Sequence, residues 1–529
     1  MFTKLRRTLF SGFFLFILIF LLWVALLVLA QFFMDDIIVN IWPDSLETVK
    51  TIVALIWVLF RLVSFVFAII MFYKVLNRQE DPEFKIPWIV GLFLVPLLVI
   101  VLYIVFGNHN LSAKERRVVE VSRASYIPYL GIQHKVFEDN EDDLGRAIGA
   151  FKYIKNVSTT GGHSHNKVTY YKNGETFFPA MIDGLKQAEE FIFIEFFIIA
   201  DGKEWSEVQK ILIEKAKQGV EVRLVYDDLG CSGTISSRTP KKLKKYGIKC
   251  YKFHPFRPFL HKSFNNRSHR KIVVVDHKMA FTGGINLADE YANEIVRFGY
   301  WKDTMIKIEG SAISNLITIF LQNYDLCSRD TSNYHKYLQY EYPKYDEEGF
   351  IAPFGDGPGG MDDALVGEQT YINILNHATK RCDISTPYLV PTYQLLDAMR
   401  NAALRGVQVN LIVPGIPDKK IVYLIAKSNF KFLLDAGVNI YLYKPGFNHM
   451  KTALADGELG FVGTINFDFR SLVHHFECGA LLYKNPCLKE IQKDFDEMIN
   501  VSEKVSKDFK LGLWSRFVCA IMKIFAPLL

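Results

Sequence analysis

Apolar and polar positions divide the chain at about residue 106. Before it lie three long apolar stretches. Leu9 to Ala30 carries no charge, Thr51 to Phe72 is interrupted only by Arg61, and Ile86 to Phe106 contains Pro96. A membrane-crossing helix needs about 20 such residues, so residues 1–106 are expected as a transmembrane region with spans near 9–30, 51–72 and 86–106. Pro96 is tolerable as a kink. Arg61 leaves a buried core helix as the alternative for the second stretch. The first stretch lacks a small-residue cleavage pattern, which favours an anchor over a signal peptide. Lys and Arg are shared almost evenly between the two sides of a three-span layout, so charge does not orient it.

After a polar connector (107–164), the pattern alternates between helical and strand periods, and it does so twice. Phe177 to Glu189 has helical spacing, Phe191 to Ile199 reads as a strand, Glu207 to Gln218 as a helix, and Gly219 to Asp227 as an alternating strand. Tyr371–Lys380, Cys382–Val390, Leu395–Arg405 and Gly406–Pro414 repeat that order. Strands alternating with helices imply an α/β fold with mixed or parallel sheets flanked by helices. Two homologous lobes are expected, 165–354 and 355–507, joined at the Gly/Pro-rich run Gly355–Gly360. The tail, 508–529, places Trp514, Phe517, Val518, Ile521, Met522 and Phe525 on one stripe, the pattern of an interfacial helix or of one packed on the rest of the protein.

Composition changes the picture only modestly. Lys plus Arg exceeds Asp plus Glu by 62 − 56 = +6, a mild basic excess that suits anionic lipid surfaces. There is no basic run or aromatic signature for nucleic acid. The 7 cysteines are scattered, odd in number and without a CxxC, which reads as reduced thiols rather than a disulfide or zinc framework. Reduced thiols lean towards a cytosolic setting for the lobes.

One cassette occurs twice with the same spacing. His269, Lys271, Asp276, Gly283 and Asn286 are matched by His449, Lys451, Asp456, Gly463 and Asn466. On an extended strand residues i and i+2 share a face, so each His points with its Lys. Imidazole, ammonium and amide together suit a phosphate. Two such sets facing each other would hold a phosphodiester between two histidines. One neutral imidazole would attack phosphorus, and the other would protonate the departing alkoxide. Lys271, Lys451, Asn286 and Asn466 would stabilise the phosphoryl oxygens. The two ammonium groups stand where a metal's charge would, so neither metal nor cofactor is expected.

The doubled His-Lys-Asp motif resembles that of the phospholipase D superfamily. Asn265–Asp276, Gly283–Tyr291, Trp301–Thr304, Thr386–Tyr388 and Asn466–Ser471 resemble the bacterial cardiolipin synthase family within it, over most of the chain from Ile86 onward. Ser268, His277 and Met305 depart from the family pattern. The resemblance implies two phospholipase D-like lobes and a catalytic set of His269, Lys271, Asp276, His449, Lys451 and Asp456. Within that set Asp276 and Asp456 are expected to brace their own loops. It implies His269 as nucleophile, His449 as acid and then base, and Asp303 and Glu477 as the acids that hydrogen-bond the opposite lobe's imidazole. It further implies a membrane enzyme joining two phosphatidylglycerol molecules into cardiolipin and glycerol, with homo-oligomers possible and the lobes on the cytosolic face of the cell membrane. The alternatives are a phospholipase D that hydrolyses or exchanges lipid head groups, a nuclease, and a membrane scaffold with a decayed site. Of the remaining histidines, His163 and His165 are expected in a solvated loop. His474 and His475 either line the site entrance or fill an edge. His254, His261 and His277 with Arg257, Lys262 and Arg267 are weighed as a basic collar for anionic lipid against plain surface charge.

Overall fold

The computed structural model describes residues 47–78, 82–107, 111–138, 141–158, 160–255, 265–358 and 364–523. The expected first span, 9–30, lies outside them, as do Arg257, His261 and Lys262. The chain divides into an N-terminal unit, residues 1–109 with 256–265, and a unit holding the rest.

In the N-terminal unit the second apolar stretch is one helix, Glu47–Leu76. Its segment Ala54–Leu76 is long and apolar enough to cross a membrane. Arg61 stays within it, with its guanidinium carbon 5.3 Å from the Trp57 ring centre. The third stretch departs from the expected span. It forms two short helices, Pro82–Leu94 and Pro96–Phe106, that double back on each other. The rings of Trp88 and Tyr103 lie 5.2 Å apart, whereas fifteen residues of straight helix would separate them by about 22 Å. Arg78 donates to both the Tyr103 hydroxyl (3.0 Å) and the Gly107 carbonyl (2.5 Å), tying the two ends together. Pro96 causes the break, because it lacks an N–H and its ring clashes with the carbonyl four residues back. Gly91 permits the close return: a Cβ there would sit 2.8 Å from Val99 Cγ2.

The expected connector contains two helices. Ala113–Glu138 packs on the first lobe, where Ser122 donates to Asp325 at 2.8 Å. Ile148–Ser158 buries Phe151 and Ile154 in the core of the second. His163 is not in a solvated loop. Its ring is buried between the Ser311 hydroxyl and the Asn315 amide, at 3.0 and 3.1 Å, and burial pulls it down to about 4.

Each lobe is a mixed sheet with helices against it. The first runs Lys167–Tyr171, Met305–Glu309, Met279–Gly283, Ile272–Val275, Phe191–Phe196, Glu221–Asp227 and Lys249–Phe253 in spatial order. The second repeats that order as Phe350–Asp356, Glu477–Tyr483, Leu459–Gly463, Thr452–Ala455, Arg381–Ser385, Gln408–Pro414 and Asn439–Tyr443. Its two ends are extended by His163–Ser164 and Ser502–Lys504. The central strands are buried on both faces, which is why they read as near-continuous apolar runs. The strand Phe350–Asp356 opens the second sheet and straddles the expected joint, so the second lobe begins earlier than the Gly/Pro run suggests.

The two sheets meet along the cassettes. Ile306, Ile308 and Val274 share one buried cluster with Val462, Leu482 and Ile491. Short parallel pairings cross the seam. Tyr300–Lys302 pairs with Gly446–Asn448, and Ser268 bridges Phe476. Each pairing delivers a histidine of one lobe beside a carboxylate of the other.

Candidate active site

The backbone of each cassette histidine is pinned across the seam. The His269 N–H donates to the Phe476 carbonyl at 2.8 Å, and that of His449 to the Lys302 carbonyl at 2.7 Å. The next residue along each partner strand is an acid. Glu477, from the second lobe, accepts from His269 Nδ1 at 2.9 and 3.0 Å. Asp303, from the first, lies 2.6 Å from His449 Nδ1. Both acids are fully buried. Glu477 is itself held by the Thr464 and Ser471 hydroxyls. With Nδ1 engaged, Nε2 is the nitrogen each ring has free for the cavity both rings line.

Gly284 explains why the two halves are not identical. A Cβ there would collide with the Asp303 carboxylate. The matching position in the second cassette, Thr464, instead uses its hydroxyl to grip the longer Glu477. Ser268 donates to buried Glu195, whereas its counterpart Asn448 pairs with Ser385 at 2.9 Å. The departure at Ser268 is thus accommodated by an acid beneath it.

Burial, reinforced by the two lysine charges, holds both imidazoles well below their ordinary value and therefore neutral. Burial also lowers Lys271 to about 7, against the pull of Glu477, and Lys451 to about 8, against Asp303. It raises Asp303 to about 6, with Lys451 opposing. Both ammonium groups sit behind the rings. Lys271 Nζ donates to the His269 carbonyl at 2.6 Å, and Lys451 Nζ to that of His449. Lys451 Nζ is also 2.8 Å from His449 Nδ1. A ring nitrogen has one in-plane position, and the carboxylate is the acceptor of its N–H hydrogen bond.

The other cassette residues are placed differently. Asn286 uses its amide oxygen on the Ile198 N–H and its nitrogen on the Tyr291 hydroxyl, at 3.0 and 2.7 Å. Asn466 lines the cavity with a buried amide oxygen that has no hydrogen-bond partner among the described residues. Asp276 and Asp456 do not reach the cavity. Each sits at the far end of its central strand, in the turn, with positive φ (49° and 52°). Asp276 accepts from the N–H groups of Glu189, Glu190 and Phe191. Asp456 accepts from those of Thr379, Lys380 and Arg381. A contact with the reacting atoms is thereby replaced by a brace on the preceding loop. His277 is remote as well, stacked on Tyr340 with ring centres 4.0 Å apart. His254 bonds the Asn266 carbonyl at 2.7 Å.

The cavity holds ≈ 360 Å³. Its walls are aromatic, with Phe197, Tyr291, Trp301 and Phe447 among them, and Arg267, Arg297, Lys419 and Arg470 add positive charge. Arg267 is committed to buried Asp227 at 2.9 Å. Lys419 stands exposed at the rim over Tyr388, 4.9 Å from its ring centre. No spacing in the sequence announces Lys419, and the acids Glu195 and Asp227 lie at strand ends that read as ordinary core. Arg470 falls inside the Asn466–Ser471 motif, which by itself gives it no role. His475 does line the site, 5.7 Å ring to ring from His269.

The chain is similar to known proteins over most of its length. The family model described as cardiolipin synthase, PLD-like domain, matches residues 181–317 and 371–499. A second, phospholipase D-nuclease N-terminal, matches 66–108. The chain is 39% identical to an uncharacterised protein of Streptococcus mutans serotype c, over 86% of this chain and 98% of that one. It is 31% identical to cardiolipin synthase 2 of Bacillus anthracis, over 89% and 91%. Among solved structures, a phosphatidylserine synthase of Haemophilus influenzae Rd KW20 superposes with a TM-score of 0.54 at 14% identity, covering 72% of this chain and 98% of that one, which shows the shared fold. The protein is an enzyme of the phospholipase D superfamily and belongs to its cardiolipin synthase family.

Proposed function

We propose that the protein transfers a phosphatidyl group from one phosphatidylglycerol to the hydroxyl of another, releasing glycerol and forming cardiolipin. The observation that carries this reading is the pair of neutral imidazoles, one from each lobe. They face one cavity, and each is held through Nδ1 by the other lobe's carboxylate. His269 Nε2 attacks phosphorus, and the bond to the glycerol oxygen breaks as His449, protonated, gives that oxygen a proton. The glycerol hydroxyl of the second lipid then attacks the phosphohistidine. His449 takes its proton, and the P–N bond breaks. One site thereby joins two large substrates in turn. An incoming phosphodiester anion offsets the lysine charges that keep the rings neutral, so it favours the protonated His449 the first step needs. Lys271 and Lys451 supply cationic charge behind the phosphate, and Asn466 offers a neutral donor within the cavity.

The same reading puts the enzyme in a membrane. The helix Ala54–Leu76 crosses, and the doubled-back pair Pro82–Phe106 enters and leaves on one side. The lobes face the cytosol, where free thiols such as Cys231 and Cys382 stay reduced. The tail helix Leu513–Lys523 carries an apolar stripe of Trp514 and Phe517, 75% and 57% exposed, flanked by Arg516 and Lys523. It packs on Lys420–Asp435 in parallel, Cys519 beside Leu424 and Lys523 beside Asn429. That register sets Trp514 near the first turn of the helix that follows rim residues Asp418 and Lys419. An anionic bilayer fits this stripe.

The test is product analysis by mass spectrometry with purified protein in phosphatidylglycerol vesicles, before and after exhaustive EDTA treatment. Cardiolipin plus glycerol, undiminished by EDTA, is expected. Phosphatidic acid plus glycerol would make the protein a hydrolase. Activity that only a divalent ion restores would remove the metal-free mechanism.

A further inference from the structure

The two ends of the site differ in one residue that the repeat and the proposed transfer do not require. Two positions before each orienting acid, a side chain lies beside the opposite lobe's imidazole. At the Asp303 end it is Trp301, 5.7 Å ring to ring from His449. At the Glu477 end it is His475, also 5.7 Å from its imidazole. Indole has no lone pair to offer a ligand, whereas imidazole does. Among the described residues neither ring nitrogen of His475 has a hydrogen-bond partner, though both are buried. Its Nδ1 stands 3.6 Å from Glu477 Oε1, too far for a hydrogen bond. A buried polar side chain in that state is expensive unless something completes it.

The surrounding donors supply the completion. One ligand atom from each of His269, His475 and Glu477 lies within 4.8 Å of the others, and this is the only such group of three among the described residues. Measured to the same oxygen, Glu477 Oε1, two of the separations are 3.0 Å from His269 Nδ1 and 3.6 Å from His475 Nδ1. A tetrahedral zinc with bonds of about 2.0–2.1 Å holds its ligands roughly 3.4 Å apart. The donors therefore stand close to the spacing a cation needs. Ser471 and Thr464 donate to Glu477, and each carboxylate oxygen has a second lone pair to give.

We propose that His269, His475 and Glu477 form an inhibitory site for a borderline-soft divalent cation such as Zn²⁺. The inhibitory part rests on His269 being the nucleophile. In the working form the neutral ring keeps its proton on Nδ1, facing Glu477, and its lone pair on Nε2. A cation on Nδ1 moves that proton to Nε2. Nothing is oxidised and no net proton is released, but the ring has no electron pair left for phosphorus. Glu477 is drawn onto the cation and no longer orients the ring. The second cassette cannot be blocked in this way, because Trp301 holds the equivalent place.

The experiment uses the full chain in detergent, freed of metal with EDTA. Co²⁺ is titrated by its visible ligand-field absorption, and Zn²⁺ is titrated by inhibition of phosphatidyl transfer, each variant being referred to its own zinc-free rate. The wild type should develop the Co²⁺ band and lose activity with Zn²⁺, and EDTA should restore it. His475→Asn should lose the band and need roughly tenfold or more Zn²⁺ for the same inhibition, the scale seen even for outer-shell losses. His475→Gln serves if the first variant melts early. Absence of the band in the wild type, or a band and inhibition unchanged in both variants, overturns the site. A protein that binds Co²⁺ through His475 yet makes no cardiolipin would keep the site and remove the transfer reading.

Discussion

At the residue scale the site depends on protonation states that the fold, not the residue types, decides. Two histidines two residues from a lysine look alike in sequence, and the doubled cassette made all four legible. What the spacing did not reveal is that both lysines lie behind the rings, bonded to the histidine carbonyls, in surroundings that lower them to about 7 and about 8. kcat/KM should therefore be bell-shaped. Asp303 must be ionised to accept the His449 Nδ1 proton, and burial raises it to about 6, so the rate climbs as pH rises through that value. The lysines must be charged, so it falls again as pH passes 7 to 8. Asp303→Asn should remove the acid limb and lower the rate by about 10²–10⁴, the scale of losing an imidazole's orienting carboxylate. An acid limb that survives in Asp303→Asn belongs to another group. His269→Ala and His449→Ala should each abolish synthesis, and the double variant should be no slower, because residues acting as a unit are not additive.

At the element scale, helix and strand periods located most of the repeat, since both leave an apolar stripe of known spacing. They missed Phe350–Asp356, whose partners, Glu477–Tyr483 and His163–Ser164, are remote in sequence. They also misread Pro82–Phe106, because hydropathy reports how apolar a segment is and not which way it runs. Two outcomes follow. Asp276 braces three backbone N–H groups at the loop before Phe191, so Asp276→Ala should lower stability by about 1–3 kcal/mol, seen as a lower Tm. The zinc-free rate of the folded fraction should change little, and a loss of rate at unchanged Tm would return Asp276 to the chemistry. For the helix pair, with the native cysteines replaced, single cysteines at the exposed positions Asn77 and Ala113 should react with a membrane-impermeant maleimide from the same face of a sealed vesicle. Labelling from opposite faces would make Pro82–Phe106 a true span.

At the scale of the whole molecule, the lobes are two copies of one fold, and neither contains a complete site. Each contributes a ring and the acid that orients the other's ring. Buried Arg270 helps lock them, donating to the carbonyls of Glu477, Ile319 and Asp356. Met450 takes its place in the second cassette, so the lock exists once. The central claim is that this shared site works in two steps through His269. Its most direct test is rapid quenching of wild-type protein turning over labelled phosphatidylglycerol, followed by mapping of the acid-labile adduct by mass spectrometry. A phosphatidyl group on His269 is expected. An adduct on His449 alone, or no adduct together with inverted configuration at phosphorus, would contradict it.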